Sequence, residues 1–382
     1  MSTRQKHLTL LILILLAGFL HAQEDTNILN TEVGLSYTKI GRQDTITQAS
    51  TAKQRSWNIG AFPIIFYTDE TRLAGGAGVQ IVYPGKSESH SSAIGVIGFY
   101  TQNKQYIFQI SPEIYIKDEL YKLSGIFGYA NFPDKFYGIG NNTKKADEED
   151  YTSRLSNFRP ILQRNIFSNL YAGIQYDYAR AKLTKLEAGK LLHSGTIPGS
   201  KGGVVSGIGI NVTWDSRNNN LYPSRGSYHQ FSVVSYERAL GSDFTFNSYQ
   251  IDLRHYKSIL DRHILAVQSV IALSTGNPPF QMMNQLGAFL RGYYQSRFED
   301  KNLVIFQIEY RIPLFWRFGC AGFAGFGEVA HEFRNISVKE IKPSTGFGIR
   351  FALIPEQKVN LRLDFGFGKD DSSFDIMINE LF

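Results

Sequence analysis

The sequence predicts an all-β fold, a single antiparallel transmembrane β-barrel of about 16 strands, on three observations. Apolar and polar residues alternate with period two, the alternating stretches are long, and Gly, Pro, Asn, Asp or charged turns punctuate them about every dozen residues. Alternation alone would suit a soluble sandwich equally well. Length decides between them. Many stretches run about 11 to 15 residues, whereas soluble strands average about 5 to 6 and a tilted membrane-crossing strand needs about 9 to 11. Composition agrees, with aromatic residues at 14% and charged residues at only 19% of the 382 positions, at a mean hydropathy of -0.20. A strand that shows one face to lipid and one to a wet lumen averages to a hydropathy near zero, so the whole-chain value hides the membrane.

The elements follow in chain order. Residues 1–22 read as a signal peptide: a basic start (Arg4, Lys6, His7), an apolar stretch from Leu8 to Leu20, and the small Ala22 before Gln23, with cleavage expected after Ala22. The apolar stretch is shorter than the roughly 20 residues of a spanning helix. No later segment offers a long uninterrupted apolar run, so the export route leads to the periplasm, the outer membrane or beyond. Residues 23–56 are polar and poor in apolar residues, and are expected to form a flexible N-terminal segment. Residues 57–382 carry the barrel. Strands are expected near 57–68, 72–83, 91–101, 104–117, 119–130, 152–163, 166–180, 203–215, 226–239, 243–257, 260–274, 300–312, 317–329, 342–354, 357–368 and 372–382. That count is even, as bacterial barrels require. With both termini periplasmic, the long connections at 131–151, 181–202, 275–299 and 330–341 all fall on the outer side. Tyr67, Tyr83, Tyr100, Tyr129, Trp214 and Trp316, near strand ends, suit interfacial aromatic girdles.

Several function classes drop out. The formal charge is +6, and removing Arg4 and Lys6 with the signal peptide leaves +4, with no basic run interleaved with aromatics. Nucleic acid is therefore not an expected partner. Cys320 is the single cysteine, which excludes an internal disulfide and a thiolate zinc cluster. His331-Glu332 does not continue to a second histidine four residues on, and no Gly-x-Ser-x-Gly elbow occurs. No catalytic residue, metal ligand or cofactor site emerges, and the chain is not expected to be an enzyme.

Three stretches carry more specific information. They are Leu290-Arg291-Gly292-Tyr293 between the eleventh and twelfth strands; Trp214-Asp215-Ser216-Arg217 followed by Tyr222-Pro223-Ser224-Arg225-Gly226; and an ending that runs from Gly346-Phe347-Gly348-Ile349-Arg350 through Leu363-Asp364-Phe365-Gly366 to a terminal Phe382. Together they resemble the BamA/TamA superfamily of outer-membrane barrels, the bacterial surface antigen family, over essentially the whole barrel. The resemblance implies that Arg291, Gly292 and Tyr293 form the motif of extracellular loop 6, folded into the lumen, where the arginine meets acid on the barrel wall. A buried guanidinium needs such a partner, and Glu309 on strand twelve, beside Arg311, is the candidate. Asp215, Arg217, Pro223, Arg225 and Gly226 would form the periplasmic turn between strands eight and nine, and Phe382 the C-terminal strand signal.

The sequence also departs from that family. Where relatives carry a lumenal aspartate on strand thirteen, this chain reads Phe323-Ala324-Gly325-Phe326-Gly327, so a second acidic partner for Arg291 is expected to be missing. Asn379 stands where relatives often place a glycine that loosens barrel closure. No periplasmic POTRA array is recognised, which suggests the small POTRA-less branch. The functional expectation is a role in outer-membrane protein assembly, translocation or partner scaffolding, with a passive pore for small solutes as the alternative and an outer-membrane hydrolase behind both. The partners implied are outer-membrane lipid and a periplasmic or outer-membrane protein.

Overall fold

In a computed structural model of the chain, residues 57–68, 72–85, 90–260 and 262–382 are described. The expected signal peptide and the segment 23–56 lie outside the described residues. Sixteen strands run in order: β1 Asn58–Thr68, β2 Arg72–Pro84, β3 Ser91–Thr101, β4 Tyr106–Ile116, β5 Tyr121–Phe136, β6 Glu149–Phe167, β7 Leu170–Leu186, β8 Gly203–Asp215, β9 Gly226–Tyr236, β10 Phe246–Leu260, β11 His263–Gly276, β12 Asn302–Pro313, β13 Phe318–Ala330, β14 Lys342–Ile354, β15 Val359–Gly368 and β16 Asp371–Ile378. Each pairs antiparallel with its neighbours in chain order, forming one 16-stranded sheet. The connection between β11 and β12 adds a two-residue ladder of its own, Asn284–Gln285 against Glu299–Asp300.

The two faces of the sheet explain the alternation. Ile208, Ile210, Phe306, Ile308, Phe347, Ile349, Phe374 and Ile376 project outward and are exposed, while Asn211, Thr213, Gln307, Glu309, Arg311, Arg350, Arg362 and Asp364 are buried inside. Exposed Ile and Phe on strand after strand form a surface that lipid, and not water, covers. Tyr100, Tyr129, Trp214 and Trp316 are on that outer surface; the side chain of Tyr67 lies outside the described residues.

The end of the sheet differs from expectation. The last strand stops at Ile378 and does not reach 382. Asn379 takes a left-handed conformation, φ 65°, which asparagine tolerates better than most residues, and its N–H donates to the Asn360 carbonyl at 2.8 Å. Residues 379–382 then turn into the lumen, where Phe382 packs against Tyr256 and Ala266. Phe382 is thus a lumenal anchor in this structure, not the last residue of a strand.

Among the described residues β1 and β16 share no hydrogen-bonded ladder. The first strand meets the far end of the sheet through side chains instead. Gly60 of β1 sits so close to Leu353 and Ile354 of β14 that a Cβ there would lie 2.9 Å from each.

Candidate functional site

Loop 6, residues 277–301, enters the barrel because its apolar residues have a wall to cover. Leu286, Leu290, Tyr293 and Phe298 pack on Val270 and Ala272 of β11, Leu303 and Ile305 of β12 and Val329 of β13, forming one buried cluster. The wall of β13 to β15 makes room by carrying glycine where the loop touches it. A Cβ on Gly366 would collide with Gly292, one on Gly368 with the Tyr293 ring, and one on Gly325 would lie 2.9 Å from Leu290. Gly292 itself has φ 99°, a conformation that disfavours any side chain.

This packing delivers Arg291 to a pair of carboxylates. Its Nη1 donates to Glu309 Oε2 at 2.6 Å and to Asp364 Oδ2 at 2.7 Å. The guanidinium lies 3.5 Å from the centre of the Phe323 ring, so strand thirteen contributes an aromatic face where an aspartate was sought. The second carboxylate expected to be missing is present after all: Asp364 supplies it from β15. A lumen is radial, so a residue on any inward face can reach the same point.

Three more arginines complete the cluster. Arg311 Nε donates to Glu309 Oε1 at 2.6 Å. Arg350 Nη1 donates to Asp364 Oδ1 at 2.5 Å, its Nη2 to Glu309 Oε2 at 3.2 Å, and its Nε to Glu380 Oε2 at 2.9 Å. Arg362 Nε lies 3.2 Å from Asp364 Oδ2. Buried charges persist only when paired and hydrogen-bonded, and here β12, β14, β15, loop 6 and the C-terminal tail each contribute. The tail is held twice, since Arg311 Nη2 also donates to the Phe382 carbonyl at 2.5 Å.

Loop 6 is fastened on its outer side as well. Gly292 N–H donates to Ser373 Oγ at 2.9 Å, Tyr294 N–H to Asp371 Oδ2 at 2.9 Å, and the Tyr293 hydroxyl to the Pro343 carbonyl at 2.5 Å. The Tyr294 hydroxyl reaches Asp134 on β5 at 2.8 Å, and Arg297 donates to Thr143 Oγ1 at 2.8 Å and to its carbonyl at 2.9 Å.

The turn between β8 and β9, the one expected to be periplasmic, makes a second cluster. Arg217 grips Asp215 with Nε at 2.8 Å and Nη2 at 2.6 Å, and lies 4.5 Å from the Tyr228 ring centre. Asn220 carries the turn across the lumen, accepting from Ser91 N–H at 3.0 Å and donating to Glu113 at 3.0 Å. Gly226, at φ 98°, closes the turn against Ser216. Pro223 is buried, and its carbonyl accepts from Arg311 Nη1 at 3.4 Å, which links the two clusters. Arg225 is exposed and joins the turn through its backbone, its N–H donating to Asn218 Oδ1 at 2.9 Å. His90 sits beside Glu119 at 2.8 Å and Asp215 at 3.6 Å; burial works against its charge, but the Asp215 and Glu119 carboxylates outweigh it and raise the imidazole pKa.

Sequence reasoning missed Asp364, Arg350 and Glu380 as members of the arginine cluster. A signal existed for two of them, since Arg350 and Asp364 stand inside the stretches that carried the family resemblance and on inward-facing positions. Elsewhere one serine meets a histidine, Ser227 Oγ to His255 Nδ1 at 2.9 Å. That pair is exposed at the ends of β9 and β10, and among the described residues no carboxylate bonds to the imidazole, so it lacks the orienting acid of a triad.

A family model for the Omp85 superfamily domain matches residues 91–376. The fold is similar to that of BamA from Haemophilus ducreyi lacking POTRA domains 1-3, with a TM-score of 0.53 and 13% identity over 85% of this chain and 69% of that one. It is also similar to CdiB from Escherichia coli, with a TM-score of 0.51 and 9% identity over 84% of this chain and 61% of that one. CdiB from Acinetobacter baumannii gives a TM-score of 0.51 and 11% identity over 85% of this chain and 59% of that one. The chain therefore spans about three fifths of the CdiB chains, and the likeness is one of fold. No curated protein matches it by sequence.

Proposed function

The chain belongs to the Omp85 superfamily of outer-membrane β-barrels, and from that premise we propose that it acts in outer-membrane protein assembly or translocation, or as a scaffold for a partner protein, after export through a cleaved signal peptide. One observation carries this reading. In a sheet otherwise paired throughout, β1 and β16 share no ladder among the described residues. Unpaired N–H and C=O groups at membrane depth are costly because no water satisfies them, so such a seam favours pairing with an additional strand. In this reading the Arg291 cluster keeps β12 to β15 as a fixed wall beside the edge.

The test places a photo-reactive residue at Ser372 or Phe374 on β16 and irradiates cells that express the full chain. Cross-links to other outer-membrane polypeptides, together with loss of specific barrels from the outer membrane on deletion of the gene, are expected. Cross-links to lipid alone and an unchanged outer-membrane protein profile would falsify the proposal.

A second reading, a passive pore for small solutes, is favoured by one feature. Away from loop 6, among the described residues, the lumen holds a cavity of about 480 Å³ whose lining includes the hydrogen-bonding side chains of Gln80, Gln109, Ser111, Gln163 and Gln230. Planar bilayers separate the readings. Steady conductance that survives in the wild-type chain supports the pore, whereas silence in the wild type supports the assembly reading.

A further inference from the structure

β6 and β7 are the longest strands of the sheet, at 19 and 17 residues. A tilted strand needs only about 9 to 11 residues to cross the membrane, so both project past it on the side of the long connections 137–148 and 187–202. Their outward face changes character along its length. Leu162 and Phe158 of β6 and Ile174 of β7 are exposed apolar residues, and on β6 they are bounded by two exposed arginines, Arg164 below and Arg154 above. The stretch between those arginines measures about 33 Å along the strand. At a tilt of about 40° it spans about 25 Å across the bilayer, which is the height of the apolar band of an outer-membrane barrel. Arg154 therefore stands at the outer edge of that band, level with the headgroups of the outer leaflet.

Two more cations join it there. Lys182 is the register partner of Arg154 across β6 and β7, and Arg180 is the partner of Ser156 on the same face. That face points outward because the residues between turn in: Leu155 and Ala179 pack in a lumenal cluster, and Ser153 and Ala181 line a space against Met282 of loop 6. Arg154, Arg180 and Lys182 are all exposed. The acids nearest in the register are engaged elsewhere or stand apart. Glu148 accepts from Lys135 at 2.5 Å, Glu187 lies 3.9 Å from Lys190, and Asp243 accepts from the Val204 N–H at 2.7 Å. Glu237, past the end of β9, accepts from Ser235 at 3.3 Å, and Asp150 lies farther out on β6, about 13 Å along the strand from Arg154. The remaining neighbours are polar and uncharged. Asn131 of β5 is the partner of Arg154, and the Tyr106 phenol faces the same guanidinium. Just below runs an aromatic row, with Tyr106 and Tyr129 at 5.4 Å between ring centres and Phe158 opposite Tyr178.

We propose that this patch binds one phosphorylated glycolipid of the outer leaflet, of the lipid A class, its phosphates held by Arg154, Arg180 and Lys182 and its acyl chains laid against Phe158, Leu162 and Ile174. The charge is complementary, because guanidinium and ammonium groups at headgroup level attract phosphate. The uncharged donors and acceptors of Asn131, Ser156 and Tyr106 suit the hydroxyls of a saccharide, which a glycerol headgroup offers in smaller number. Phenol rings favour this level because their bodies are apolar and their hydroxyls polar. The site stands whether or not the proposed role in assembly does, since it needs only that the barrel spans the outer membrane with its long loops outside.

Purified full-length protein in a neutral detergent would be titrated with diphosphoryl lipid A, phosphatidylglycerol and inorganic phosphate, with bound lipid counted by native mass spectrometry. Wild type is expected to retain one lipid A in preference to phosphatidylglycerol. Arg154→Gln with Lys182→Gln should weaken that retention about 30-fold, on the scale of ~1 kcal/mol for each surface cation. Arg164→Gln with Lys257→Gln removes the same charge from exposed positions at the opposite edge of the band and should behave as wild type. Thermal unfolding without lipid checks that each variant still folds. Equal retention of the two lipids, an Arg154/Lys182 variant indistinguishable from wild type, or equal weakening by both pairs of substitutions would overturn the proposal. Complete displacement of lipid A by inorganic phosphate would overturn the glycolipid assignment.

Discussion

Arg291 on loop 6 and Asp364 on β15 are 73 residues apart in the chain and 2.7 Å apart in the lumen. The same Nη1 that reaches Asp364 also reaches Glu309 on β12 at 2.6 Å. One side chain therefore ties an outer loop to two strands that are not neighbours in the sheet.

Replacing Arg291 by Ala leaves both carboxylates buried with fewer partners, at an expected cost of about 3–5 kcal/mol in unfolding free energy. Arg291→Lys should recover only part, since an ammonium lacks the planar face that the guanidinium lays on the Phe323 ring. A double-mutant cycle of Arg291→Ala and Asp364→Asn, read by denaturant unfolding in lipid vesicles, should be non-additive by more than about 0.5 kcal/mol. Strict additivity would mean that the two residues do not hold each other.

Gly366→Ala tests the seat of the loop without touching its charges. The added methyl would overlap Gly292, whereas at Gly322 a methyl meets nothing within 4 Å. Trypsin should cut after Arg291 or Arg297 about tenfold faster or more in Gly366→Ala, because overpacking costs ~1–3 kcal/mol. Gly322→Ala should behave as wild type. Equal protection of the loop in both variants would show that loop 6 does not lie on that glycine wall.

Glu299 gives the loop a pH dependence. Burial pushes its carboxyl up to about 8, helped by Asp134 and Asp300 and opposed by the bond from Gln285. A carboxyl with a raised folded pKa favours the folded form while it stays protonated, so its contribution is complete below the unfolded value near 4.5 and is lost as pH rises through about 8. Protection of residues 284–300 from proteolysis should therefore fall between about pH 5 and pH 9. Glu299→Gln should flatten that fall. An equally steep loss in the variant would assign the dependence to another group.

Phe382→Ala separates lumenal anchoring from strand termination, because β16 ends four residues earlier and is untouched. Phe382 is 2% exposed among Tyr256 and Ala266, and emptying such a site costs about 3–5 kcal/mol. The expected result is a lowered unfolding midpoint with unchanged strand content by circular dichroism. A midpoint equal to wild type would place the terminal ring outside the barrel.

The strand count was legible because every strand has one wet and one greasy face, and period two survives wherever that holds. It fades where both faces meet protein or water. β5 runs on to Phe136 and β6 begins at Glu149, beyond the stretches where alternation is clean, and these extensions support the outer loops. The inward orientation of Asp364 and Arg350 could be read from the same pattern, but alternation fixes only the face of a residue and says nothing of what meets it across a lumen. Asn379 was misread for another reason. The apolar pattern continues through Leu381 and Phe382, while the left-handed backbone at Asn379 that ends the strand leaves no trace in hydrophobicity.

The glycines of β2, Gly75, Gly76 and Gly78, stand directly across from β1 in the register, at the opposite side of the seam from the strands that Arg291 ties together. Glycine weakens a strand interior because it has no side chain to pack and more freedom to lose. The two banks of the seam thus differ in compliance: the β1–β2 bank is soft and the β14–β16 bank is braced from inside. Strain applied across the seam should be taken up by bending the first hairpin outward while the last strands hold their position, and amide exchange should be faster in β1 and β2 than in β14 and β15.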